Sequence, residues 1–137
     1  MESTAINTQQ SGESKLNTTG YEGFTSSRGQ LLVGEQKYII RILKMNGSTM
    51  VFLSSAEPEC LDEIALAMKM PQDNKIVGTY ILGPQIITDS QRMAEKLCKR
   101  FGRHFIVSYN VNVDRMTAPL LEKQLSEYIR AHEDQFV

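Results

Sequence analysis

The sequence predicts an α+β fold: a mostly antiparallel β-sheet packed with about three α-helices in a single domain. Three observations predict it. Two apolar runs, one from Tyr38 to Leu43 and one from Met50 to Leu53, are separated by Asn46-Gly47. That is a strong hairpin signal, and a hairpin is antiparallel by construction. Further along, segments with a two-residue apolar period alternate with segments of period 3.6, in the order β-β-α-β-α-β-α. Finally, 137 residues with 41% hydrophobic content suit one core, with no internal repeat and no second domain.

The elements follow in order. Residues 1–20 are rich in Ser, Thr, Asn, Gln and Gly, with Ile6 and Leu16 the large aliphatics. Such a segment buries too little apolar surface to offset its ordering entropy, so it reads as a disordered tail before a domain at 21–137. Phe24, Leu31, Leu32 and Val33, broken by Gly23, Gly29 and Gly34, suit a short edge strand or two. The hairpin comes next. From Ser55 or Ala56 the period changes: Leu61, Ile64, Ala65 and Met68 fall on one helical face, Pro58 and the acids Glu57 and Glu59 suit a first turn, and Pro71 ends the segment. This predicts a helix.

Lys75 to Leu82 reads as a strand closed by Gly83-Pro84. A helix then starts at Thr88, Asp89 or Ser90, all good N-caps, and stops at Gly102. Met93, Ala94, Leu97, Cys98 and Phe101 form its apolar face, with Lys96, Lys99, Arg100 and Arg103 toward its negative end. His104 to Val111 is a strand. The last helix runs from Thr117 to His132, with Pro119 in its first turn and Leu120, Leu121, Leu125, Tyr128 and Ile129 as its buried stripe.

Composition removes several functions. Net charge is −1 and Lys and Arg are scattered without a basic stripe, which argues against nucleic acid. No apolar run approaches the roughly 20 residues that cross a bilayer, so no membrane partner is expected. The first 20 residues lack the pattern of a signal peptide and are too acidic and poor in Arg for a transit peptide, so a cytosolic place is expected, with the nucleus open. Cys60 and Cys98 read as buried free thiols, and two Cys and two His at unrelated spacings make no zinc signature.

One segment gathers the residue types of hydrolytic chemistry: His104, Ser108, Tyr109 and Asp114 in "RHFIVSYNVNVDRMTAP". His104 and Ser108 share a strand face but lie roughly 13 Å apart at about 3.3 Å per residue. A nucleophile and its base need about 3 Å. No Gly-x-Ser-x-Gly elbow surrounds Ser108. Ser108 is therefore expected to be structural, with Asn110 and Asp114 bonding turn backbone. His132 is read as a solvated helix-end residue, and Glu57, Glu59, Asp62 and Glu63 as a solvated charge cluster without converging metal ligands. No catalytic, cofactor-binding or metal-binding residue is assigned.

Apolar side chains offer more. Ile86 and Ile87 lie among Gly83, Pro84, Gln85 and Thr88. They either tuck under the next helix as a staple or contact a partner. Met45, Met50, Met68, Met70, Met93 and Met116 are many for so short a chain; Met fills cores and also lines adaptable binding surfaces. Ile86, Ile87 and Met116 are the residues expected to bind a partner.

From about Gly78 onward the chain resembles the proteasome assembly chaperone 4 family. The resemblance rests on "TYILG" at 79–83, "SQRMAEKLCKRFGR" at 90–103, "FIVSYNV" at 105–111, Asn112, Asp114 and "APLLEKQLSEYI" at 118–129. It runs over about fifty residues; the hairpin and "ECLDEIALAMKM" fit more loosely. The chain has no Trp, where relatives often carry one, and Ile86–Ile87 replaces a polar pair. The resemblance implies a non-catalytic α+β subunit without cofactor. It implies a heterodimer with proteasome assembly chaperone 3 that holds α-type subunits while the α-ring of the 20S core forms and then leaves. The rival readings are a roadblock- or longin-like scaffold module in membrane traffic, and a hydrolase using Ser108.

Overall fold

The computed structural model describes residues 19–21, 24–55, 59, 61–111 and 113–137. The strands are β1 (Thr19–Tyr21), β2 (Phe24–Val33), β3 (Gln36–Lys44), β4 (Ser48–Ser55), β5 (Ile64–Lys69), β6 (Ile76–Leu82) and β7 (His104–Asn110). The helices are α1 (Asp89–Phe101) and α2 (Ala118–Ala131), and a short 3-10 helix, Glu133–Gln135, follows α2. The predicted disordered tail falls outside the described residues apart from Thr19 and Gly20, which lie in β1.

The seven strands form one sheet in the order β1-β2-β3-β4-β7-β5-β6. The α+β class is as expected, but the sheet is mixed: β4 and β7 are parallel. β5 pairs antiparallel with both β6 and β7, so β6 and β7 run the same way on either side of it. α1 carries the chain between them across one sheet face. Local pattern reveals β4 and β7 but not this crossover, which slots the last strand between β4 and β5.

Ile64–Lys69, placed in the helix predicted over residues 55–70, is strand β5, which leaves two α-helices rather than three among the described residues. The run "IALAM" is apolar at every position and so satisfies both periods. Packing decides between them. Ala65 and Ala67 are fully buried and face the helices, with Phe105 and Val107 of β7 beside them in register. Two methyl groups let α1 lie close on β5. Glu57, Pro58 and Cys60, also placed in that helix, lie outside the described residues.

The hairpin stands as predicted. Met45 N–H donates to Ser48 O at 2.8 Å, closing a two-residue loop in which Gly47 takes a positive φ of 94°. β2 is a ten-residue strand between β1 and β3, not a short edge. α1 is capped at both ends as its sequence implies: Thr88 Oγ1 accepts from Gln91 N–H at 3.2 Å, and Gly102 turns left-handed at φ 72°.

Both helices cover the same sheet face. Leu31, Val33, Tyr38, Ile40, Ile42, Val51, Leu53, Phe105 and Val107 point to it and form one core with Leu97, Leu121, Leu125 and Ile129. Leu120, assigned to the buried stripe, is instead 55% exposed. Its neighbour Leu121 takes the inward position. Phe136 is fully buried under the 3-10 turn and stacks on Phe101 at 6.1 Å.

Candidate partner-binding surface

Ser108 is a structural residue. It is buried, and its Oγ donates to Glu63 O at 2.7 Å and accepts from Asn110 Nδ2 at 2.5 Å. Asn110 Oδ1 in turn accepts from the backbone N–H of Asp62 at 2.7 Å and of Glu63 at 3.2 Å. The pair staples the segment before β5 onto the end of β7. His104 is exposed and takes no part in these bonds. Asp114 accepts from Thr117 N–H at 2.8 Å, as expected of a turn residue, and that bonding holds its carboxyl below the usual range. Ser108→Ala removes two hydrogen bonds and leaves polar atoms of Glu63 and Asn110 short of partners. It is expected to cost about 1–3 kcal/mol, read as a lower Tm in thermal unfolding.

The acidic residues predicted as one cluster go separate ways. Glu57 lies outside the described residues. Glu59 takes a two-pronged hydrogen bond from Arg41 at 2.9 and 2.8 Å; that bonding holds its carboxyl below the usual range. The pairing draws this segment across the sheet. The Glu63 carboxylate accepts from Ser90 Oγ at 2.6 Å, and Ser90 Oγ accepts from Tyr109 N–H at 2.9 Å. These bonds lock the start of α1 to β5 and β7. Cys98 is a buried free thiol whose pKa burial raises; Cys60 is outside the described residues. His132 is partly buried, stacked on Tyr128 at 4.1 Å, rather than fully solvated.

Ile86 and Ile87 do not tuck under α1: they are 66% and 60% exposed. Met116 is 84% exposed. The three stand on the loops after β6 and after β7, and those strands finish at the same end of the sheet. Both loops are braced. Gly83, at φ 107°, packs against Glu63, Thr88 caps α1, and Asp114 holds the turn before α2.

The larger feature is one that pattern reading missed. The sheet's second face carries no helix among the described residues. In register across it lie Leu43, Met50, Ile106 and Leu66, with Phe52, Ile64 and Met68 beside them, all partly exposed. Toward its upper end Leu61 is 49% exposed, and with Glu59 it lines a cleft over Ile39 and Phe52. Polar residues on this face include Arg28 and Arg41 toward β2, and Ser54, His104, Ser108 and Asn110 toward the ends of β4 and β7. A partial signal was present: β4 and β5 carry apolar residues on both faces, Met50, Phe52, Ile64, Leu66 and Met68 lying on the second. Apolar faces of this extent are uncommon on small domains.

The fold is a small α+β unit with helices on one sheet face and a largely apolar second face that no described helix covers. A family model for proteasome assembly chaperone 4 matches residues 37–111, more than half of the chain. The chain belongs to the proteasome assembly chaperone 4 family. It is similar to the human proteasome assembly chaperone 4, 29% identical over 103 residues covering 74% of this chain and 82% of that protein. It is 28% identical over 96 residues to an uncharacterized protein of Schizosaccharomyces pombe, covering 69% and 77% of the two chains. Its fold is similar to a chain in the crystal structure of a novel chaperone complex for yeast 20S proteasome assembly. That match has a TM-score of 0.58 at 13% identity and covers 81% of this chain and 94% of that one. Asn112, part of the resemblance, lies outside the described residues.

Proposed function

We propose that this chain is a chaperone for assembly of the 20S proteasome core. It acts without catalysis, as half of a heterodimer with proteasome assembly chaperone 3, in the cytosol and nucleus. The pair holds α-type subunits while the α-ring forms and is released afterwards. The bare apolar sheet face carries this reading. A stable pair buries about 800 Å² per partner. The five strands β3, β4, β7, β5 and β6, at about 4.8 Å spacing and about 20 Å long, present on the order of 500 Å² in projection. Side-chain relief raises the accessible area above that figure. Pairing through this face removes Leu43, Met50, Phe52, Leu66 and Ile106 from water, and Met50 and Met68 adapt to a partner's contour.

Ile86, Ile87 and Met116 supply the second contact, to an α-type subunit. They lie at the end of the sheet, so pairing through the face leaves them free. Few residues on short loops make a small contact, and a small contact is displaceable, as release requires.

Capture from cell extract on the tagged chain tests the reading. Recovery of α-type proteasome subunits together with a second small chaperone supports it. Recovery of membrane-traffic factors instead favours a roadblock- or longin-like scaffold and overturns it.

A further inference from the structure

Four cations that are scattered in the sequence are gathered by the fold along one groove. Lys69 ends β5, while Arg92, Lys96 and Lys99 lie on α1 at spacings of four and three, which makes one helical stripe. The groove runs between α1 and β6, encloses about 640 Å³, and has Ile76 in its lining. Two carboxylates face these cations. Asp89 is bonded to Arg92 at 2.9 Å, and Glu95 accepts from Gln91 Nε2 at 3.0 Å while lying against Gly78, where a side chain would collide with it. Among the described residues, Lys69, Lys96 and Lys99 make no salt bridge. The chain as a whole carries −1, so this excess of positive charge is local.

The strand bordering the groove is the last in the sheet. Among the described residues, one side of β6 therefore presents backbone N–H and C=O groups to no other strand. Exposed edges are usually protected by charge, by Pro or by a covering element. The residues Ile76–Leu82 contain no charge and no Pro, and Val77, Tyr80, Ile81 and Leu82 are all exposed. Val77 points to the bare face, whereas Tyr80 and Gly78 point toward α1, as their register with Met68, Ala65 and Ala67 requires; Ile81 sits at a bulge.

We propose that this edge accepts an extended acidic segment of another protein, added to β6 as a further strand. Alternate side chains of an added strand point to opposite faces. On the α1 side they meet Arg92, Lys96 and Lys99, which calls for Asp or Glu. On the other side they continue the surface of Val77, Met68 and Leu66, which calls for aliphatic residues. The ligand is therefore a segment alternating acidic and aliphatic residues. The cationic groove lies on the α1 side of the sheet, opposite the face proposed for pairing, and the added strand borders that face only at its β6 edge.

A fluorescent eight-residue peptide alternating Glu and Val, titrated with the full chain and followed by anisotropy, tests this. Saturable binding is expected that weakens as salt rises. It should fall at least tenfold with Lys96→Glu/Lys99→Glu and be lost when alternate peptide amides are N-methylated, which blocks strand addition at unchanged charge. Both lysines are exposed, so the variant keeps its thermal unfolding and its pairing with proteasome assembly chaperone 3. Absence of saturation overturns the proposal. So does equal binding by the variant, by the N-methylated peptide or by a Lys–Val peptide, or tighter binding of a DNA duplex than of the peptide.

Discussion

Leu121→Asp is expected to abolish the folded protein, while Leu120→Asp, one residue earlier, leaves it intact. Leu121 is fully buried on α2 and Leu120 is 55% exposed. Truncating a buried Leu costs about 2–5 kcal/mol, and an unpaired carboxylate in an apolar site adds several more. A domain's whole stability is about 5–15 kcal/mol. The first change thus removes most or all of it, whereas an exposed substitution stays within about 0.5 kcal/mol. Soluble yield and far-UV circular dichroism separate the two. Equal behaviour would mean that α2 is rotated from the register described here.

The second large effect is at the far end of the chain. Phe136→Ala is expected to cost about 3–5 kcal/mol, the range for a fully buried aromatic. At about 3–6 °C per kcal/mol for a domain of this size, Tm falls on the order of 10–30 °C. The ring stacks on Phe101, and the segment is fastened by Thr49 Oγ1 donating to Phe136 O at 2.7 Å and Lys44 Nζ donating to Asp134 O at 2.7 Å. Arg100 bonds Glu133 at 2.5 Å. These contacts join the C-terminus to β3, β4 and α1, so the last five residues act as a clasp rather than a frayed end. A Tm unchanged to within 2–3 °C would contradict that role.

What could be read from the sequence was local. The hairpin needed only Asn46-Gly47 between two apolar runs, and α1 only Thr88, Gly102 and the spacing of Ala94, Leu97 and Cys98. β5 was misread because an unbroken apolar run has no period of its own; the close approach of α1 to Ala65 and Ala67 settles it. β7 lies between β4 and β5 through pairings of residues up to 56 positions apart (Ser48 with His104), which no window of sequence contains. The same holds for function. Ser108 could be set aside from strand geometry alone, and Ile86, Ile87 and Met116 are exposed. The bare face, by contrast, becomes visible only once both helices are known to lie on the other side.

The most direct test of the central claim is the size of the complex formed with proteasome assembly chaperone 3 by a chain carrying Phe52→Glu and Leu66→Glu. Both side chains are on the bare face and partly exposed. Two carboxylates there add repulsion and desolvation to an apolar contact while sparing the helix-side core. Light scattering on the co-purified proteins should give a one-to-one pair for the native chain and separate, folded monomers for the variant. A variant that pairs as tightly as the native chain would contradict the account.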